Sequence, residues 1–243
     1  MDINGKVALI TGSAKRIGRS AAIELAKRGA RVALHFRSSE REALETLRTI
    51  QSAGGSGTVF QADLTNSAAV DDMFLGIAKS LGGMDILVNS ASVFDTGTSS
   101  ETTPELWDAQ MDANAKAPFF LAQKAARLML PRGGGKIINI VDVAGDVIWP
   151  GYFAYSVSKA ALMAVNRGLA KTYAPSILVN GIAPGPVLFP DHYTEEQKRS
   201  AVERTLLKRA GSPRDIVNAI VFLIENDYIT GEIIHVDGGR HIM

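Results

Sequence analysis

Seven short apolar runs punctuate the chain, and between them the apolar positions switch to helical spacing. KVALI (6–10), RVALHF (31–36), GTVFQA (57–62), DILVN (85–89), KIINIV (136–141) and ILVNGIA (177–183) read as buried strands, and EIIHVDGG (232–239) as a last one. The stretches 17–29, 41–54, 68–82, 104–129 and 152–171 carry apolar residues at helical intervals. Gly29, Gly54 and Gly82 stand where a last helical turn ends, and Ser212-Pro213 reads as an N-cap followed by proline at the first helical position. Alternation of this kind predicts an α/β fold: one Rossmann-type, doubly wound parallel sheet of about seven strands with helices on both faces. A single domain over 1–243 is expected, without linker or repeat. The least regular stretch is 184–200, PGPVLFPDHYTEEQKRS, at the carboxyl end of a strand, and 184–210 is expected to be a substrate-loop region.

Composition narrows the function. Of 243 residues 46% are hydrophobic, and Gly (23) outnumbers Pro (9), which suits a compact fold with tight turns. The 26 basic and 25 acidic residues leave a net charge of +1, so charge gives no case for nucleic acid or a membrane surface. No apolar stretch reaches spanning length and the first residues lead straight into a strand, so a soluble cytoplasmic protein is expected. Cysteine is absent and the four histidines (35, 192, 235, 241) have no close spacing, so no metal site is expected.

Two constellations carry chemistry. The turn Thr11-Gly12-Ser13-Ala14-Lys15-Arg16-Ile17-Gly18 joins the first strand to the first helix, where small residues and a helix N-terminus suit a pyrophosphate. It does not match G-x-G-x-x-G. After the second strand, where an NAD site places an acid, the chain has His35-Phe36-Arg37-Ser38-Ser39. Arg37 offers a fork and Ser38 a hydroxyl to a 2′-phosphate, with Lys15 and Arg16 adding charge, so NADPH/NADP+ is favoured. Asp63-Leu64 is a candidate for the adenine amino group, with helix capping as the competing role for Asp63. The second constellation is Tyr155 and Lys159, one helical turn apart, thirteen positions after Asp142. A cation beside the phenol is expected to pull its pKa from about 10 toward neutrality.

These elements together resemble the short-chain dehydrogenase/reductase family over essentially the whole chain: TGSAKRIG (11–18), Asp63-Leu64, NSAS (89–92), Asn114, YSVSK (155–159), Pro184-Gly185 and DGG (237–239). The resemblance implies a nicotinamide cofactor and a homotetramer. It makes Tyr155 the proton donor and Lys159 the ribose ligand, with Asn114 holding a water in the proton path. Gly12, Ile17, Gly18, Asn89, Ala91, Ser92, Pro184 and Gly185 would frame the cofactor. Three departures are informative: Arg16 stands where most members have glycine, Asn89-Ser90-Ala91-Ser92 where most have N-N-A-G, and Asp142 where most have the serine that donates to a ketone oxygen. A carboxylate repels the oxyanion of ketone reduction, whereas a carboxyl group or water relay suits protonation of a C=N nitrogen. The combination is similar to the pteridine reductase branch, with its dihydromonapterin and dihydrofolate reductases. That likeness implies that Arg16 and Ser92 contact cofactor and pterin, that Phe94 stacks on the pterin, and that Tyr152, Asp142 and Tyr155 line its pocket. Val187 departs from that branch, which has a hydroxyl residue there. Trp149 and Phe189 are candidates for the pocket wall or for plain packing, and Arg240 and His241 for a neighbouring subunit's active site or a free tail. The expected activity is NADPH-dependent reduction of a dihydropterin, dihydromonapterin, dihydrobiopterin or dihydrofolate. The alternatives are a ketone reductase of the same family and a non-catalytic NADP(H) or pterin sensor.

Overall fold

The computed structural model describes residues 1–191 and 193–243; His192 lies outside the described residues. Seven parallel strands form one sheet: β1 (Val7–Ile10), β2 (Arg31–Phe36), β3 (Ser56–Gln61), β4 (Ile86–Asn89), β5 (Gly135–Ile140), β6 (Ile177–Pro184) and β7 (Ile233–Val236). Their order across the sheet is β3-β2-β1-β4-β5-β6-β7. The chain therefore winds outward from β1 in one direction, returns, and winds out in the other from β4. The reversal lies between β1 and β4, where their carboxyl ends leave a crevice.

The helices are α1 (Arg16–Lys27), α2 (Glu40–Ser52), α3 (Ser67–Leu81), α4 (Pro104–Met111), α5 (Ala117–Met129), α6 (Phe153–Tyr173), α7 (Glu195–Glu203) and α8 (Pro213–Glu225). Each strand feeds both faces because successive side chains alternate. Ala8 and Ile10 of β1 pack with Leu25 of α1, Ile50 of α2 and Ile220 of α8. Val7 and Leu9 pack on the opposite face with Ile77 of α3, Leu121 of α5 and Leu169 of α6. This two-sided burial is why β1, β2, β4, β5 and β6 read as continuous apolar runs; β3, at the sheet edge, has no buried residue, so the burial expected for 57–62 does not hold.

Two elements differ from expectation. The segment 104–129 is interrupted: a π-helical turn, Asp112–Lys116, separates α4 from α5. Such turns recur at functional sites. The irregular stretch 184–200 runs into α7, whose start is fixed by a capping box between Thr194 and Gln197. The helix has no buried residue, so it carries no apolar stripe for periodicity to detect. Asp63 is not a helix cap: it accepts from Thr65 N (2.9 Å) and Oγ1 (2.7 Å), while Asn66 caps α3.

Candidate active site

A cleft of about 1120 Å³ opens over the carboxyl ends of the strands. One part is walled by the 11–18 turn, by Arg37 and Ser38 after β2, and by Asp63 and Leu64 after β3. The turn is built for close backbone approach. Gly12 has φ +64°, and a Cβ there would stand 3.0 Å from Ala91 Cα; a Cβ on Gly18 would run into the Gly12 carbonyl oxygen. Ala91 and Ser90 are drawn in by their N–H groups, both donated to Thr11 Oγ1 at 3.0 and 2.9 Å. Helix α1 starts with no side-chain cap and no acidic residue in its first turn, leaving N–H groups for an anion. Arg37 and Ser38 are exposed. Lys15 pairs with Glu42 at 3.0 Å.

Several expected cofactor contacts have other partners. His35 lines the cleft, but its Nδ1 accepts from Gly12 N at 3.0 Å and its Nε2 bonds the Ala62 carbonyl at 3.0 Å. Burial lowers its pKa, and a neutral ring fits one accepting and one donating nitrogen. It is thus a strut for the turn. Asn89 is not part of the cleft wall. Its Nδ2 donates to Asn139 Oδ1 (2.9 Å), and Asn139 donates in turn to Asn166 (2.9 Å), an amide chain running from β4 through β5 to α6. Asn114, in the π-helical turn, is fully buried. Its Oδ1 accepts from Val93 N and Ser92 Oγ (both 2.9 Å), and its Nδ2 faces Val93 O, Gln110 Oε1 and Ser158 Oγ. The side chain thus pins the 92–93 segment to α6. Arg16, at φ +54°, donates to the carbonyls of Leu188 (2.6 Å) and Phe189 (3.4 Å), tying the first turn to the loop after β6.

The deeper part of the cleft brings Asp142, Tyr155 and Lys159 together. Asp142 follows β5 and N-caps the short turn Val143–Gly145: its Oδ1 accepts from Ala144 N at 2.8 Å. Its Oδ2 accepts the Tyr155 hydroxyl proton at 2.9 Å. Lys159 Nζ donates to Ile140 O at 3.1 Å and lies 5.6 Å from the Tyr155 ring centre. Burial pushes the Asp142 carboxyl up, opposed by the Ala144 N–H, Lys159, Tyr155 and Arg240. Burial, then Asp142, holds the Tyr155 phenol well above its ordinary value. Burial and Asp142 thus act against the expected pull of Lys159 toward neutrality. Burial brings Lys159 down to about 8, with Asp142 opposing.

An aromatic wall rises beside this pair. Phe94 stacks on Tyr152 (4.3 Å, 10°) and meets Tyr155 edge-on (4.6 Å). Tyr152 shares a hydrogen bond with Tyr193 at 3.0 Å. Trp149 and Phe189 both line the cleft, and Val187 is buried at its edge. Arg240 lines the cleft of its own chain, and His241 bonds Asp237 at 2.7 Å, so neither belongs to a free tail. The sequence reading left Arg240 unplaced because its neighbours come from distant segments. Among the described residues no cluster could hold a metal ion, and no helix is long and apolar enough to cross a membrane.

The family model described as enoyl-(acyl carrier protein) reductase matches residues 12–241. An uncharacterized oxidoreductase of Thermotoga maritima is 36% identical over 98% of both chains. The 3-oxoacyl-[acyl-carrier-protein] reductase FabG of Staphylococcus aureus is 33% identical, again over 98% of both. Among solved structures, angucycline C-6 ketoreductase LanV with bound NADP superposes with a TM-score of 0.93 at 32% identity, covering 100% of this chain and 98% of that one. FolM alternative dihydrofolate reductase 1 from Brucella canis, complexed with NADP, gives 0.94 at 32%, covering 100% and 96%. The chain belongs to the short-chain dehydrogenase/reductase family.

Proposed function

We propose that this protein is an NADPH-dependent reductase that saturates a C=N bond of a pterin. One observation carries the reading: the residue facing the Tyr155 hydroxyl is the carboxyl group of Asp142, at 2.9 Å, not a hydroxyl. The likeness to an alternative dihydrofolate reductase with bound NADP supports it.

The cleft fits the cofactor. The glycine-lined turn and uncapped α1 suit the pyrophosphate, and Arg37 with Ser38 suits a 2′-phosphate with no carboxylate at that position to repel it. NADPH, when bound, would supply a hydride to the ring carbon. The adjoining nitrogen then needs a proton, and Tyr155 holds one at working pH because burial and Asp142 keep its pKa high. Asp142 orients that hydroxyl and, with its own pKa raised, passes a proton to or from it. Lys159 would hold the cofactor's ribose and keep a positive charge near the phenol as its proton leaves. Phe94, with one face stacked on Tyr152, would take a flat heterocycle on the other, and Ser92, Arg16 and Tyr152 line the same cleft.

A ketone reductase is the second reading, favoured by the likeness to LanV and FabG. There the Asp142 carboxylate would oppose the oxyanion that hydride addition makes. Following NADPH consumption optically across dihydrobiopterin, dihydromonapterin, dihydrofolate and simple diketones separates the readings. Oxidation with at least one pterin and little with diketones is expected. The reverse pattern means a ketone reductase, and tight NADPH binding without turnover of any compound means a sensor.

A further inference from the structure

The last turn of the chain, Arg240–Ile242, brings a guanidinium to the substrate side of the cleft. Arg240 Cζ lies 5.1 Å from the Trp149 ring centre, and Nη1 donates to Ala201 O of α7 at 3.0 Å. Trp149 meets Phe94 edge-on at 6.5 Å, and Phe94 meets Tyr155 at 4.6 Å. A ladder of three rings thus connects the proton-donating phenol to this cation. A second guanidinium, Arg204, lines the same cleft close enough for its charge to act on Arg240. Neither arginine enters an ion pair among the described residues. Asp142 and Asp237 also act on Arg240 by their charge, and each Asp142 oxygen accepts a bond from another group, Ala144 N or the Tyr155 hydroxyl. Trp149 Nε1 is buried and has no hydrogen-bond partner.

This corner therefore gathers two guanidiniums that form no direct ion pair among the described residues, although Asp142 and Asp237 act on Arg240 and Glu196 also lines the cleft. Two guanidiniums that repel each other are stabilised by an anion between them, and each is shaped for two parallel bonds to a carboxylate. The corner is also held in place before anything binds. Asp237 accepts from Gly239 N (2.9 Å) and His241 N (2.8 Å) and bonds His241 Nδ1 (2.7 Å), and the His241 ring stacks on His235 at 3.9 Å. Fixing Arg240 from both sides lowers the ordering cost of using it.

We propose that Trp149, Arg204 and Arg240 form an anion subsite that takes a carboxylate carried on the substrate's side chain. The preferred pterins would then be carboxylated ones of the folate kind rather than uncharged ones. This rests on the pterin reading, with the ring over Phe94 and its appendage running toward Trp149.

Calorimetric titration of the NADP+-saturated protein with folate and with biopterin tests it without requiring turnover. Folate is expected to bind at least about tenfold more tightly, a margin of one good charged contact. Arg240→Gln is expected to weaken folate about tenfold and biopterin less than about twofold, with Arg204→Gln in the same direction and Arg240→Lys keeping part of the advantage. Added salt should weaken folate selectively, which needs no variant. Equal affinity for the two ligands, binding by neither, or an equal loss for both in Arg240→Gln overturns the subsite. The pterin reading fails separately, when no pterin is turned over although folate still binds through Arg240.

Discussion

Asp142, Tyr155 and Lys159 form one electrostatic unit, and its pH behaviour follows from burial. Lys159 titrates at about 8, so its ammonium is lost as pH rises through that value. If the cation assists the phenol, kcat/KM falls on the alkaline side with an apparent pKa near 8. Because Asp142 raises the Lys159 value, Asp142→Asn should move the same limb of any residual activity to lower pH. An initial-rate profile at saturating NADPH checks both; a flat profile to pH 10 removes Lys159 from the proton path. The relation of Asp142 to Tyr155 was legible in the sequence because a strand end and a helix start fix the gap between them. The duties of His35, Asn89 and Asn114 were not. Apart from Gln110, four positions before Asn114, the partners of these side chains lie 21 to 50 positions away, so little that is local marks which nitrogen or oxygen is already used.

At the level of elements, the strands and most helices were legible because each buries an apolar face, and a buried face leaves a period in the sequence. Helix α7 is the exception, held by its ends rather than its flank. Its capping box, Thr194 Oγ1 accepting from Gln197 N at 3.2 Å and Gln197 Oε1 from Thr194 N at 2.8 Å, was the available signal. Thr194→Ala is expected to cost the helix about 1 kcal/mol, read as faster amide exchange across 195–203 while the sheet is unchanged. Unchanged exchange there would mean that packing, not the cap, holds α7. Since Ala201 anchors Arg240 and the preceding loop carries the carbonyls bound by Arg16, loosening α7 should also raise KM more than it lowers kcat.

For the whole molecule, the order of strands sets the site where the winding reverses, and the comparisons and the fold agree on the family. Assembly is a proposal: exposed Trp107 on α4, Phe119 and Phe120 on α5, and Phe222 on α8 with Ile242 and Met243 offer apolar surface that a homotetramer would cover. Light scattering should give about four times 25.9 kDa, and a monomer mass contradicts that assembly. The identity of the substrate is where sequence alone was weakest, since a carboxylate in place of a serine redirects chemistry only if it faces the reacting group. The decisive measurement is therefore NADPH oxidation with dihydropterin substrates by wild type, Asp142→Ala and Asp142→Ser. A drop in pterin turnover of roughly 100-fold or more in both variants, with NADPH affinity kept and ketone turnover rising in Asp142→Ser, is the predicted result. Near-normal pterin turnover by Asp142→Ala would contradict the account.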